Sequence, residues 1–434
     1  MEKDDQFIKE YTYRFEIIST VSNSFVFDFK TSNEEKATEF IYDLLSIFAL
    51  EKDGEILLDL IQEYNEIIQT KIREFVNKYC TVIPELKGVI AQIEKIPYGN
   101  FFGFLPQNIM SDAKEKLTIR NHLHSKNNGL KFEELEKESQ EFFGNLLQNY
   151  ILTAFGAHRK RIGEHDRHKR VCRFCQKKTP VVNFKNKAHA ISESLGNKHL
   201  VLLDECDDCN QRFSKSIEPD IVQYFSLFRT IYGVKAKDGP KGLVEKNFTL
   251  QNEPNLVLTL KNAIRPNEQK MRYQITLDYD QKMNLQNIYR CLCKYFLSVI
   301  KTEDLPPFSD TIKWINSELS ISQLPVIAEL IDYRFFCREP ELLTFIRKNC
   351  NKNLPYAVGE FRFTCKRIFF LLPFVNAPEV DFVVKENYDF FWNYIPYLKS
   401  LESVSFMDFS NDTARDLTLN LNGQLAKPNK ASFV

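Results

Sequence analysis

Apolar residues recur along this chain with two periods, and the switches between them predict its elements. Tyr11, Tyr13, Phe15 and Ile17 alternate with other residues, as do Phe25, Phe27 and Phe29, and Ser22-Asn23 lies between the two runs. Alternation around a polar turn predicts a β-hairpin. Ser32 followed by Glu35 has the form of a capping box, so a helix is expected to begin there. Leu57, Ile61, Tyr64, Ile68, Ile72 and Phe75 keep one apolar face at helical spacing. His122 and His124 sit near Asn127-Asn128-Gly129 and read as part of a polar surface loop. Residues 1–157 are therefore expected to be an N-terminal α+β accessory domain ending in helices.

Strand periodicity returns after residue 228. Phe248 and Leu250, then Leu256 to Leu260, then Met271, Tyr273, Ile275, Leu277 and Tyr279 predict three strands. Leu285, Ile288, Tyr289, Leu292, Tyr295, Phe296 and Val299 predict an amphipathic helix. Short strands are expected around Phe361-Phe363 and Phe382-Val384, and the last dozen residues read as a frayed tail. Residues 229–434 form the expected C-terminal α+β domain.

Length and composition set bounds on this picture. With 434 residues, 43% hydrophobic and 27% charged, the chain is long enough for two or three cores and is not mainly disordered. The apolar run Ile368 to Leu372 stops at Pro373, far short of a membrane span, and Met1-Glu2-Lys3-Asp4-Asp5 is too acidic for a signal peptide. A cytoplasmic protein with no membrane segment is expected. The net charge of zero conceals an asymmetry. Residues 1–150 carry 17 Lys/Arg against 26 Asp/Glu, residues 151–216 carry 14 against 7, and the remainder 27 against 25. The cationic middle suits a polyanion, or docking on the acidic N-terminal part. His158 to Arg170 reads HRKRIGEHDRHKR, which makes Arg159, Lys160, Arg161, Arg167, Lys169 and Arg170 candidates for phosphate contacts.

Six of the ten cysteines (Cys80, Cys291, Cys293, Cys337, Cys350 and Cys365) lie scattered in apolar stretches and read as small buried hydrophobes. The other four form two CxxC pairs, Cys172/Cys175 and Cys206/Cys209, a spacing that lets four thiolates converge on one structural zinc ion. Thirty residues separate the pairs, so something is folded between them. Val181 to Phe184 and Ala188 to Ile191 can pair as strands across Lys185-Asn186-Lys187, and Leu200 to Leu203 approaches the second knuckle. After Cys209, Phe213, Ile217, Ile221, Tyr224 and Phe228 predict a helix, with a kink or restart at Pro219. No GxxxxGK[ST], GxGxxG, HExxH or GxSxG occurs.

A knuckle, strands holding a histidine, a second knuckle ending in Cys-Asn and a helix follow one another here. In this the segment resembles the HNH (ββα-metal) endonuclease family, in its branch with a structural four-cysteine zinc. The resemblance lies in Cys172, Cys175, the His189-Ala190-Ile191-x-Glu193-x-Leu195-Gly196-Asn197 stretch and Cys206-x-x-Cys209-Asn210, about 50 residues in all. It implies an α+β chain with a central module over 158–228, flanked by two α+β domains. It implies a metal-dependent endonuclease hydrolysing phosphodiester bonds in DNA, in which His189 activates water and Asn210 gives an oxygen to a catalytic Mg²⁺ or other divalent cation. Asn197 and His199 both fall near the family's middle asparagine. The family's usual acidic residue or histidine before the base is Ala188 in this chain. Glu193, Asp207, Asp208 and Glu218 are the candidates to complete the metal shell. By analogy the role is a bacterial anti-phage or restriction effector, with a protein partner or self-association through the flanks. A catalytically inactive zinc-dependent binding or scaffold protein, and an RNase, are the alternatives.

Overall fold

The computed structural model describes residues 11–424, apart from 32, 53–54, 107–112, 157–159, 236–241, 253–254, 262–271, 334–335 and 417. The chain is of the α+β class, and it packs as two units: residues 1–151 with 395–397, and residues 152–394 with 398–434.

The first unit opens with the expected hairpin, β1 (Tyr11–Ser19) and β2 (Phe25–Thr31), in which Phe15 faces Phe27 and Tyr13 faces Phe29. Ser32 lies outside the described residues, and Asn33 caps α1 (Glu34–Ile47), its side chain accepting from the Lys36 N–H. Residues 57–75 are not one helix. Strands β3 (Ala49–Lys52), β4 (Glu55–Leu58) and β5 (Ile61–Glu63) precede α2 (Glu66–Tyr79), which starts at the Asn65 cap. Apolar residues on short strands happened to continue the helical spacing of Ile68, Ile72 and Phe75. Then come α3 (Leu86–Ile93), β6 (Phe101–Pro106), α4 (Ala113–Asn128) and α5 (Phe132–Asn149), with the main sheet ordered β2-β1-β6-β5. His122 and His124 lie on α4, not in a loop, and the Asn-Asn-Gly run is where this helix stops: Gly129 has φ +68°.

In the second unit, β7 (Tyr150–Phe155) is the edge of a six-stranded sheet, and β8 (Lys160–Ile162), β9 (Ala188–His189) and β10 (Leu200–Leu202) form a small sheet ordered β8-β10-β9. Helices α6 (Asp207–Ser216), α7 (Glu218–Tyr224) and α8 (Ser226–Ile231) follow, with Pro219 in the first turn of α7, the expected restart. Strands β11 (Leu243–Val244), β12 (Phe248–Gln251) and β13 (Val257–Leu260) make a meander; β14 (Arg272–Asp278) pairs with the last strand. Met271 lies outside the described residues, as do the last ten.

Helix α9 (Leu285–Val299) is buried on every face, not only the apolar one: Gln286, Arg290 and Lys294 are covered as well. A helix hidden all round is the centre of a core. After α10 (Ser309–Ile315), strands β15 (Ile327–Ile331), β16 (Cys337–Arg347), β17 (Ala357–Thr364) and β18 (Lys366–Leu371), helix α11 (Lys385–Tyr394), β19 (Ser405–Met407) and β20 (Thr418–Gln424) complete the unit. The large sheet runs β19-β15-β18-β17-β16-β7. Phe382-Val384 is a turn rather than a strand; Phe382 is buried against Phe391 instead. Cys291, Cys293, Cys337 and Cys365 are buried as expected, whereas Cys80 is half-buried and Cys350 exposed. One hydrophobic core runs from Phe155 and the two knuckles through α9 to Phe409, so residues 158–228 and those beyond share it. No helix among the described residues is long and apolar enough to cross a membrane.

Candidate active site and metal centre

Each CxxC pair is a tight turn. At the first, Cys172 N–H donates to Lys177 O and Gln176 N–H to Cys172 O, both at 2.8 Å, with Gln176 at φ 58°. At the second, Cys206 caps α6 and Asn210 N–H donates back to Cys206 O at 3.0 Å. The turns bring all four sulfurs within 4.8 Å of one another. For tetrahedral zinc with Zn–S about 2.3 Å, sulfurs stand about 3.8 Å apart; Cys175 Sγ and Cys206 Sγ are 3.7 Å apart. Cys206 N–H (3.4 Å) and Arg212 Nη2 (3.6 Å) donate to Cys172 Sγ and Cys209 Sγ, favouring thiolates. A hydrogen bond with Cys209 pushes the Cys172 thiol down to about 5. Burial pushes Cys206 up to about 12, and Cys209 is raised chiefly by its bond to Cys172. A divalent cation at the centre ionises such thiols outright. The donor set fits a structural zinc.

Residues 181–184 do not form the expected strand. Val182 and Phe184 are buried in the core, and Asp207 does the work of pairing: its N–H donates to Asn183 O at 2.8 Å. The Asp207 carboxylate accepts from the N–H groups of Asn186 (2.9 Å) and Lys185 (3.2 Å). The partner of β9 is β10, with His189 opposite Val201 and Ala188 opposite Leu202. On the far side of β10, Val201 is level with Arg161 and Leu202 with Ile162. Facing residues share a side of a sheet. Ala188, Leu202 and Ile162 form a buried row, which leaves His189, Val201 and Arg161 on the opposite face. About 10 Å, two strand spacings, separate His189 from Arg161.

His189 Nδ1 lies 3.8 Å from Glu193 Oε2, while Nε2 is buried with no hydrogen-bond partner among the described residues. Burial first, then the charge of Lys187, pushes this imidazole below its ordinary value. A nearby carboxylate favours the proton on Nδ1 and leaves the Nε2 lone pair free. Asn210 is half-buried in the first turns of α6. Asn197 is fully engaged: its amide donates to Ile191 O (2.7 Å) and Leu200 O (3.2 Å), and its oxygen accepts from the His199 (3.1 Å) and Leu200 (3.0 Å) N–H groups. It clamps the loop joining β9 to β10. His199 points Nε2 at Glu339 Oε1, 3.6 Å away. Of the residues considered for the Ala188 gap, Asp207 holds backbone, Glu218 pairs with Lys294 (3.4 Å), Asp208 is exposed, and Glu193 faces the imidazole.

A cleft of about 570 Å³ opens on the sheet's basic side, lined among others by Arg161, Arg167, Arg170, Lys185, Lys187 and His199, with no carboxylate in its lining. Arg159 lies outside the described residues. Lys160 sits 4.6 Å over the Phe155 ring and Lys169 pairs with Asp166 at 3.5 Å, and neither lines the cleft. Arg167 Nη2 donates to Phe184 O (2.8 Å) and Arg170 Nε to Glu164 O (2.8 Å), which fixes their side chains. Lys185 and Lys187 were missed as phosphate candidates; the signal was the Lys-Asn-Lys turn, read only as a connection.

Two buried ion pairs were also missed, because their halves are far apart in sequence. Arg173 donates to both oxygens of Asp204 (2.8 and 2.9 Å) and to Leu297 O and Ile300 O at the end of α9. Gly163 packs here at φ +95°, where an added Cβ would fall 2.5 Å from the Asp204 carboxylate. Lys294 of α9 lies 3.2 Å from Glu205 and donates to His189 O at 3.3 Å.

Residues 172–226 match the model of a family described as HNH endonuclease. No curated protein and no solved structure matches the chain. The four cysteines, clustered at metal-binding distance within the matched segment, are consistent with the zinc-bearing branch of that family, and residues 172–226 thus carry a domain of the HNH endonuclease family.

Proposed function

We propose that this domain is an active, metal-dependent endonuclease that hydrolyses phosphodiester bonds in DNA. The observation that carries the reading is His189. It stands on the same sheet face as Arg161 of the basic cleft, with one ring nitrogen facing a carboxylate and the other buried and unpartnered. An unpartnered buried lone pair is costly unless something polar is to occupy it.

His189 Nε2 accepts a proton from a water aligned with the phosphorus; the water oxygen forms the new P–O bond as one ester P–O bond breaks. Glu193, across Nδ1, steadies the imidazolium that results. Asn210 and Glu193 offer hard oxygen donors for Mg²⁺ or a similar cation. When bound, that cation neutralises charge developing on the phosphate oxygens. Arg161, Arg167 and Arg170 hold the flanking phosphates. Asn197 keeps the β9–β10 loop in place, a supporting part, and His199 belongs to the cleft rather than to the reacting atoms. The closed sulfur shell gives the zinc a structural part only.

Ala188 favours a second reading, a binding module without catalysis: its methyl group is buried and cannot ligate. Plasmid nicking with Mg²⁺ or Mn²⁺ separates the two. Wild type is expected to nick and His189→Ala to bind without nicking; a folded, zinc-loaded wild type that cuts under no divalent cation would be the binding module. Matched RNA and DNA strands test the sugar preference. By family analogy, restriction or anti-phage defence is the proposed setting.

A further inference from the structure

We propose that Lys294 is a positioning residue of the nuclease site, an ammonium supplied by α9 from outside the matched segment, which fixes the strand carrying His189. The inference rests on the nuclease reading above.

Lys294 is fully buried in the middle of a helix that is covered on all sides. An ammonium in such a place is costly unless several acceptors surround it. Three do. Lys294 Nζ donates to His189 O (3.3 Å) and to Glu218 Oε1 (3.4 Å), and lies 3.2 Å from Glu205 Oε2. The Phe213 ring stands 5.8 Å away. These partners belong to different pieces of the site: β9, the approach to the second knuckle and the start of α7.

The arrangement does more than neutralise carboxylates. Strand β9 is two residues long and pairs with β10 at two positions. Ala190 N–H adds a bond to Leu200 O at 3.1 Å, and β9 is the outer strand of its sheet, so the carbonyl of His189 needs a partner from another element. The charge-assisted bond from Lys294 supplies it. Because Glu205 adjoins Cys206, the same ammonium ties the base to the metal knuckle. Arg173, joining the first knuckle to the carbonyls of Leu297 and Ile300, fixes α9 against the site from its other end. Misplacing a catalytic group by about 1 Å costs on the order of 100-fold in rate.

The test uses the zinc-loaded full chain and single-turnover DNA cleavage with Mn²⁺, comparing wild type, Lys294→Met and Lys294→Met/Glu205→Gln. Lys294→Met leaves buried carboxylates uncompensated and is expected to melt earlier; the double variant removes one of them and regains melting temperature. Both are expected to keep zinc and DNA affinity while cleaving roughly 10- to 100-fold more slowly. If the double variant recovers both stability and rate, Lys294 only neutralises Glu205 and the proposal is overturned. Wild-type rates in Lys294→Met overturn it too, as does a double variant that does not fold. A wild type that cuts no DNA overturns the nuclease reading and this proposal together, whereas a wild type that cuts as fast as Lys294→Met overturns this one alone.

Discussion

His189 carries its neutral form to lower pH than a free imidazole, because burial and the charge of Lys187 disfavour the protonated ring. In the proposed role of general base it is competent only when neutral, so the acid limb of the cleavage rate is expected below the ordinary value of 6.5. The linkage has the same sign. The unfolded chain takes up the proton at higher pH, so this group's contribution to stability is present above 6.5 and is lost as pH falls from there towards the folded value. A pH–rate profile of single-turnover cleavage checks the limb; one centred above 6.5 would contradict the burial argument. Asn197→Ala gives a separate expectation. All its polar atoms are used on backbone, so the loss is one of stability, about 1–3 kcal/mol with buried groups left unpaired, read in denaturant melts.

Individual residues were legible in sequence where their chemistry demands a fixed spacing. Two CxxC pairs let four thiolates converge on one ion, and Asn210 follows from its place beside Cys209. The function of Asn197 as a clamp was not legible, since an asparagine looks the same whether it ligates or caps. Lys294 was invisible for a plainer reason: in sequence it is one lysine on an amphipathic helix, and only the packing around α9 shows that its polar side is buried as well.

At the scale of elements, the knuckles hold the helix and hairpin in register. Cys206→Ser removes a sulfur ligand while leaving a residue that can cap α6, so loss of zinc and collapse of the β9–β10–α6 unit are expected from the metal alone; zinc analysis with circular dichroism reports both. The basic cleft makes a different kind of prediction. If the proposed phosphate contacts of Arg161, Lys185 and Lys187 form without sequence preference, replacing any one by alanine is expected to lower the slope of log K against log salt by about 1. Lys160 and Lys169, outside the cleft lining, are expected to leave that slope unchanged. Fluorescence anisotropy across a salt series distinguishes them.

Elements with a strong internal period were legible: β1 with β2, β12 to β14, and α9. Those missed owe their form to distant partners. Val182 and Phe184 alternate as a strand would, yet they are simply buried in the core, and Asp207 satisfies the backbone around them. Leu57 and Ile61 continued a helical pattern by chance, and the Asn65 cap marks where the helix begins.

Across the whole second unit, the knuckles, α9 and the large sheet share one core. Zinc removal is therefore expected to destabilise more than its immediate neighbours. Calorimetry before and after a strong chelator is expected to show a single lowered transition for residues 152–434, not a small early one with the remainder unchanged. The charge asymmetry seen in sequence has a spatial counterpart in this unit, where five cations of the cationic middle converge on the cleft beside the sheet row of His189.

The central proposal, that Glu193 and Asn210 hold one hard cation beside a phosphodiester within reach of His189, is tested most directly by anomalous diffraction. Crystals of zinc-loaded His189→Ala with a DNA duplex and Mn²⁺ would be measured at the manganese edge. A manganese peak between the Asn210 amide and the Glu193 carboxylate, touching a phosphate, is the predicted result. Manganese confined to other sites, with DNA lying elsewhere than the Arg161 cleft, would contradict it.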